Sequence, residues 1–390
     1  MKILLVHNFY TNTGGEDLRV VNTSHLLRAS GQDVVECYKE SAHVKGFFSN
    51  MLTFFGLFFS FRSFLDVLRV AKREHPQVAC IYNVFPIISP SVYVALKISG
   101  VPVVQMVANY RPAYSLRDGL YILQALMKKK NARAAFLNRG YCNLYDVLYG
   151  LSVIVNKAMG TFSSIICYVS PSEYMKVRLI ESAVSKEKIK VIPNFFLSQK
   201  IQGHGRRNKK TIIMYAGRLS YEKGVDILLS ALGNTFNSKV FIVGDGSEKR
   251  NLENFVKRNN LPVSFLGRKT HKETLRVLER ADICVVPSRW SEPFGNVILD
   301  ATACGALVIA ASTGGIPEII QDHKTGLLFN PEDPGDLRKK IDWALSHPRE
   351  KEKIVSAARE GLKKFKSKDY MKRLVSVFSL VIHASPTIDA

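Results

Sequence analysis

The chain has 390 residues, of which 46% are hydrophobic and 23% charged, which excludes a disordered or fibrous protein and is too much chain for one comfortable core. Lysine and arginine exceed aspartate and glutamate by 55 to 33, a formal charge of +22. The excess is even, 23 basic against 12 acidic residues up to position 195 and 32 against 21 after it. It therefore argues against the localised basic arm of many nucleic-acid binders, and suits an anionic cofactor, an anionic membrane surface or plain solubility.

In chain order, MKILLVHNFY opens with an apolar run that stops at His7. It is too short for a signal peptide and reads as a buried first strand, so a cytoplasmic location is expected. Short β-branched runs follow at Asp33–Cys37, Val78–Tyr82, Pro102–Val107 and Ile165–Val169. Helical stretches lie between most of them, at Glu16–Ser30, Phe64–Glu74, Pro90–Ser99 and about Leu120–Arg133. One segment breaks the rhythm. Gly46–Arg73 carries eight phenylalanines from Phe47 to Phe64, with no charge between Phe47 and Phe61. Too short and interrupted to span a bilayer, it suits either a membrane interface or an inter-helix core.

Near Lys190 a short apolar strand runs into the basic, aperiodic stretch QKIQGHGRRNKK, the best candidate for a linker. The rhythm then restarts with strands at Thr211–Tyr215, Lys239–Val243, Val263–Leu266, Ile283–Pro287 and Leu307–Ala310. Helices are expected at Lys223–Leu232, Glu248–Asn259, Lys272–Arg280 and Asn296–Cys304, with a mostly helical, Lys-rich remainder from Asp333. Alternation of this kind predicts an α/β protein of two doubly wound, Rossmann-like domains with ligands at the carboxyl ends of the strands. The expected boundaries are 1–195, a linker at 196–210, 211–367, and a C-terminal helix at 368–390 that packs back on the first domain. The six cysteines (Cys37, Cys80, Cys142, Cys167, Cys284, Cys304) have no metal-clip spacing and fall mostly in apolar runs, which suits a reducing compartment.

Three strand-to-helix turns carry chemistry. HNFYTNTGGE places Gly14 and Gly15 at a helix start, where backbone amides can approach an anion; a simple turn is the bland alternative. In YAGRLSYEKG, Arg218 and Lys223 bracket a turn and could hold a diphosphate, or else serve as ordinary ion-pair partners. PSRWSEPFGNVILDATACG carries Glu292 ahead of a helix and Asp300 within it. Glu292 can accept hydrogen bonds from sugar hydroxyls and Asp300 can reach a ribose diol; a helix-dipole charge and a solvated helix face are the plainer readings. In VGDGSE, Asp245 resembles a metal ligand but is better read as a turn residue.

Taken together, AGRLSYEKG, VGDGSEKRNLE, FLGRK and SEPFGNVILDATACGALVIAASTGGIPEII before TGLLF resemble the family-four retaining glycosyltransferases of the GT-B fold. The resemblance covers the C-terminal half, the GGE turn, LIESAVSKEKIKVIPN and VVQMVANYRP. It implies two Rossmann-like domains facing a cleft. Arg218 and Lys223 would lie on the donor diphosphate, Glu292 toward the donor sugar and Asp300 toward the ribose. Backbones at Phe294, Gly295, Asn296 and Val297 would contact sugar and phosphate, Arg268 would lie near the base, and Gly15 near diphosphate and acceptor. Two positions depart from the pattern. Asp300 replaces a glutamate, and Ala108 stands before Asn109 where relatives commonly carry histidine, leaving Asn109 or Arg111 as substitutes.

The implied activity is transfer of a sugar, with retention, from a UDP-linked or other NDP-sugar to a saccharide acceptor. That acceptor is expected to be lipid-linked, in cell-surface polysaccharide assembly such as lipopolysaccharide or capsule, with peripheral contact to an anionic membrane and no nucleic-acid partner. No cofactor or metal is expected beyond the donor, because two cations and a helix N-terminus can stabilise the leaving diphosphate. A non-catalytic donor-binding subunit is the alternative that Ala108 keeps open. A nicotinamide enzyme is disfavoured by the missing GxGxxG after the first strand.

Overall fold

The computed structural model describes residues 1–10, 14–40, 56, 58–113, 144–197, 210–233 and 238–384. Most of the Phe-rich run, the helix expected near Leu120–Arg133, Cys142 and the greater part of the expected linker lie outside them. Two compact units divide the chain, one formed by residues 1–193 and 368–390 and the other by residues 194–367.

The first unit runs β1 (Lys2–Phe9), α1 (Gly15–Ala29), β2 (Asp33–Glu40), α2 (Phe61–Glu74), β3 (Val78–Ile81), α3 (Ser91–Ile98) and β4 (Val103–Met106). It continues with α4 (Leu144–Ala158), β5 (Ile165–Ser170), α5 (Glu173–Glu181) and β6 (Ile189–Val191). All six strands are parallel, in the order β2-β1-β3-β4-β5-β6. Ile3 to Val6, Val78 to Ile81 and Val103 to Val104 are buried, as expected of strands covered on both faces. Helix α2 begins three residues before its expected start because Ser60 caps it, accepting a hydrogen bond from the Ser63 amide at 3.3 Å.

The second unit contains β7 (Ile212–Ala216), α6 (Val225–Leu232), β8 (Lys239–Val243), α7 (Lys249–Arg258), β9 (Val263–Gly267) and α8 (His271–Leu278). Then come β10 (Ile283–Val286), α9 (Asn296–Ala303), β11 (Leu307–Ala311), α10 (Ile316–Ile319), β12 (Leu327–Phe329), α11 (Pro334–Ser346) and α12 (Pro348–Gly361). Its sheet is also parallel, ordered β12-β11-β10-β7-β8-β9. Strand order reverses between β7 and β10, the place where doubly wound sheets open a crevice at their carboxyl ends. The last helix, α13 (Ser367–Ala384), belongs almost wholly to the first unit and buries Tyr370, Met371, Leu374, Val377, Phe378 and Val381.

One expected element is redrawn. The helix anticipated over Lys223–Leu232 is a 3-10 turn at Tyr221–Lys223 followed by α6, with Gly224 at φ +65° between them. Sterics require that glycine, since a Cβ there would lie 2.0 Å from the Pro287 carbonyl oxygen. Gly244, at φ +148°, is tighter still: its Cβ would come within 1.8 Å of the Gly217 carbonyl oxygen. Gly244→Ala is therefore expected to destabilise the protein by at least about 2 kcal/mol, combining backbone strain with a clash that no rotamer relieves. Urea unfolding followed by circular dichroism measures it, and an unchanged midpoint would contradict the packing described.

Candidate functional site

Two loops flank the strand-order reversal of the second sheet, Gly217–Gly224 after β7 and Pro287–Gly295 after β10. Strand β10 is completely buried and ends at Val286, before Pro287, which has no amide to extend the ladder. Lys223 Nζ donates to Glu292 Oε1 at 2.6 Å, across 69 residues of sequence. Both side chains are largely buried, at 18% and 14% exposure. Ser288 Oγ donates to the same Glu292 oxygen at 2.7 Å, and Lys223 Nζ lies 5.2 Å from the centre of the Trp290 ring.

The loops are fastened to each other by more than this pair. The Glu222 carbonyl accepts from the amides of Arg289 and Trp290, both at 3.0 Å. Arg289 forms a two-pronged bond to Asp226 at 2.7 and 2.5 Å and lies 4.3 Å from the centre of the Tyr221 ring. Beneath Glu292, Gly314 sits at φ +60°, where a Cβ would meet the Glu292 carbonyl oxygen at 2.3 Å. The same oxygen accepts from the Gly315 amide at 2.8 Å. Glu292 is thus fixed through both its backbone and its side chain.

Burial alone would raise the Glu292 carboxyl, but the Lys223 charge, hydrogen bonds from Lys223 and Ser288, and the Arg218 charge outweigh it. The group lies below its ordinary 4.5 and is ionised at neutral pH. Arg218 itself is exposed within the Gly217–Gly224 loop. An exposed guanidinium, a largely buried ammonium and a fixed carboxylate at one switch point can receive a polyanion together with hydroxyl groups.

The other expected residues fall in several places. Phe294 is buried, edge-on to Phe365 at 5.9 Å and packed with Leu299, Ala303 and Leu362, so its side chain is core. Gly295 caps α9 at φ +104°. Asn296, the first residue of α9, accepts from Asn194 Nδ2 at 2.8 Å through its Oδ1, and Val297 is half-buried. Arg268 is exposed at the end of β9. Asp300 is bonded not to Lys223 or Arg218 but to His271, whose Nε2 lies 3.0 Å from Oδ2. Asp245 is a turn residue: its carboxylate accepts from the Gly246 amide at 2.8 Å and its carbonyl from the Leu219 amide at 3.0 Å.

In the first unit, Gly15 is exposed at the head of α1. The Gly14 amide, expected to be open to an anion, instead donates to Asp17 Oδ2 at 2.9 Å. Asp17 is buried and also bonded to His7 Nε2 at 2.9 Å. The Asn83 amide donates to His7 Nδ1 at 3.3 Å, which assigns the ring proton to Nε2. Asn109 Nδ2 donates to Glu16 at 3.1 Å, and Tyr10 OH donates to the same carboxylate oxygen at 2.9 Å. Arg111 Nη1 donates to Tyr10 OH at 2.8 Å and to Asn83 Oδ1 at 2.9 Å. Burial, together with the Glu16 charge, pushes the Tyr10 phenol far above its ordinary value, against Arg111, so it remains a neutral donor.

Sequence reasoning missed Tyr10, Glu16, Asn83, Ser288, Arg289, Trp290 and His271. Ser288, Arg289 and Trp290 could have been suspected from their place beside Glu292, and Tyr10 and Glu16 from theirs around the glycine pair; Asn83 and His271 are brought in only by long-range contacts.

Comparison with known proteins adds to this geometry. Residues 198–361 match the glycosyl transferases group 1 family. An uncharacterized glycosyltransferase of Methanocaldococcus jannaschii, MJ1178, is 36% identical over 196 residues, covering 50% of this chain and 54% of that one. The sulfoquinovosyl transferase SQD2 of Arabidopsis thaliana is 36% identical over 161 residues, 40% of this chain and 31% of its own. The chain thus spans a third to about half of these relatives. A solved glycosyltransferase from Rickettsia africae ESF-5 superposes with a TM-score of 0.71 at 18% identity, over 98% of this chain and 99% of that one. Anabaena Alr3699/HepE, solved with UDP, gives 0.67 at 18% identity over 97% and 100%. The chain has the GT-B fold.

Replacing Lys223 by methionine removes the charge that most depresses Glu292, so its carboxyl should titrate at higher pH, which carboxyl-carbon NMR measures. Because the folded value lies below the ordinary one, Glu292 favours the folded state above the normal glutamate range and loses that contribution as pH falls through its own lowered value. In the Lys223→Met protein the contribution should disappear, and an unmoved Glu292 titration would contradict the pairing.

Proposed function

We propose that the protein is a glycosyltransferase that takes an NDP-sugar, most simply a UDP-sugar, and transfers the sugar to a saccharide acceptor. The observation that carries this reading is the Lys223–Glu292 pair, with Arg218 beside it, at the switch point of the second sheet. The cations stabilise charge developing on the leaving diphosphate, and Glu292 accepts hydrogen bonds from donor hydroxyls. No metal is needed for that electrostatic task. Support comes from the group 1 match over this unit and from the fold neighbour solved with UDP-glucose. Retention at the anomeric carbon follows the family resemblance of the motifs.

The first unit receives the acceptor in this reading. Gly14 has an extended backbone at φ −118°, and a Cβ there would meet nothing within 4 Å. Among the described residues nothing in the fold requires that glycine, whereas close approach of a ligand would. Asn83, Asn109 and Arg111 line a narrow pocket with Phe85, Tyr93 and Tyr168, and in this reading Asn109 or Arg111 substitutes for the histidine that Ala108 replaces. The test is calorimetry with UDP-, GDP- and ADP-hexoses, followed by transfer to a lipid extract. One donor should bind, and Lys223→Ala and Glu292→Ala should each cut transfer at least about tenfold with the fold intact. Failure of every donor to bind would sink the proposal.

A lipid-linked acceptor and peripheral contact with an anionic membrane, in cell-surface polysaccharide assembly, complete the reading. Among the described residues no helix is long and apolar enough to cross a membrane. Phe59, Phe61 and Met159 are nevertheless 47%, 66% and 76% exposed. Asn156 Nδ2 donates to the Phe58 carbonyl at 3.3 Å, joining α4 to the start of α2, and Arg62 and Arg69 are exposed nearby. Apolar rings with basic neighbours fit an anionic interface. Sedimentation with phosphatidylglycerol vesicles should bring the protein down, phosphatidylcholine vesicles should not, and Phe59→Glu with Phe61→Glu should weaken binding about tenfold. Equal binding to both lipids would contradict the assignment.

A further inference from the structure

The carboxylate of Asp300 has one oxygen committed and one not. Oδ2 is 3.0 Å from His271 Nε2, whereas Oδ1 has no protein partner among the described residues. Both side chains are about a quarter exposed, 26% for His271 and 25% for Asp300. His271 is placed rigidly, because it heads α8 directly after the capping residue Thr270. Thr270 Oγ1 accepts from the Glu273 amide at 3.3 Å, and Glu273 returns a carboxylate oxygen to the Thr270 amide at 2.8 Å. Helices α8 and α9 are joined again by the Cys304 thiol, which donates to the Leu275 carbonyl at 3.7 Å.

We propose that His271 is a positioning residue for nucleotide recognition, its imidazole fixing one oxygen of Asp300 so that the other accepts hydrogen bonds from the ribose hydroxyls of the donor. This rests on the NDP-sugar reading given above. An aspartate on a helix has two free side-chain torsions, and an imidazole N–H on one oxygen removes that freedom before the ligand arrives. The Nε2–H donor is present in the imidazolium as well as in the neutral tautomer that donates from Nε2, so either form can hold the carboxylate. A hydrogen bond to a charged acceptor contributes about tenfold or more in affinity when both partners are already in place.

The experiment titrates UDP and 2′,3′-dideoxyuridine diphosphate into the wild-type protein and the His271→Ala, His271→Gln and Asp300→Asn variants by calorimetry. Wild type should prefer UDP about tenfold. His271→Ala should lose most of that preference through weaker UDP binding while dideoxy-UDP binds as before, and His271→Gln should recover part of it through its amide donor. A merely structural His271 would weaken both nucleotides alike, and that outcome overturns the proposal, as does full discrimination in His271→Ala. If uridine nucleotides do not bind wild type, the ADP and GDP pairs with their dideoxy counterparts replace them. Binding of a diphosphate without discrimination leaves the donor reading standing and removes this inference. Absence of binding by every diphosphate removes both.

Discussion

The site in the second unit depends on one contact, the ion pair that Lys223 makes with Glu292 over the carboxyl ends of β7 and β10. Those strands are neighbours only because the sheet reverses its order there. Removing two charges from water costs several kcal/mol per ion by rough estimate, and their attraction about returns it, so such a pair does little for stability. What it achieves is readiness. Each charge neutralises the other, and on the proposed function a ligand bearing phosphates and hydroxyls would offer both of them better partners. The Trp290 ring beside Lys223 and the Ser288 hydroxyl on Glu292 keep the two groups oriented in the meantime.

The head of α1 in the first unit solves a related problem differently. There Asp17 occupies the position that an anion would take against the Gly14 amide, and His7 and the Asn83 backbone hold Asp17 from behind. Nearby, Glu16, Tyr10, Asn109 and Arg111 form a network of mutually bonded polar groups. The second unit therefore presents cations, whereas the head of α1 holds a carboxylate to which the Tyr10 and Gly14 amides are already bonded. Hydroxyl-rich ligands suit such a surface better than a diphosphate does.

Much of the fold was legible from period and composition. Runs such as Lys239–Val243 are largely β-branched strands, buried at Val240, Ile242 and Val243, that end where expected, and Asn296 begins its helix after a glycine as the sequence indicates. Short edge strands were harder to read. Leu327–Phe329 has three residues and gains its identity from pairing with β11, not from any internal pattern. The break at Gly224 is a tertiary effect, set by the Pro287 carbonyl sixty-three residues away in a different loop. Glu292, Lys223 and Asp300 could be picked out because their residue types and neighbours were suggestive. Their partners could not: His271 meets Asp300 across 29 residues, and only the packing of α8 on α9 brings them together.

The two loops share a clamp of the Glu222 carbonyl with two amides, the Arg289 fork on Asp226 and the guanidinium over Tyr221. Neither loop can open without breaking the other's bonds. On the proposed function, a ligand arriving here would meet walls whose ordering was completed when the chain folded, so little further entropy would be lost on docking. Kinetic discrimination among related ligands then falls on how long each one stays, not on how often each one enters.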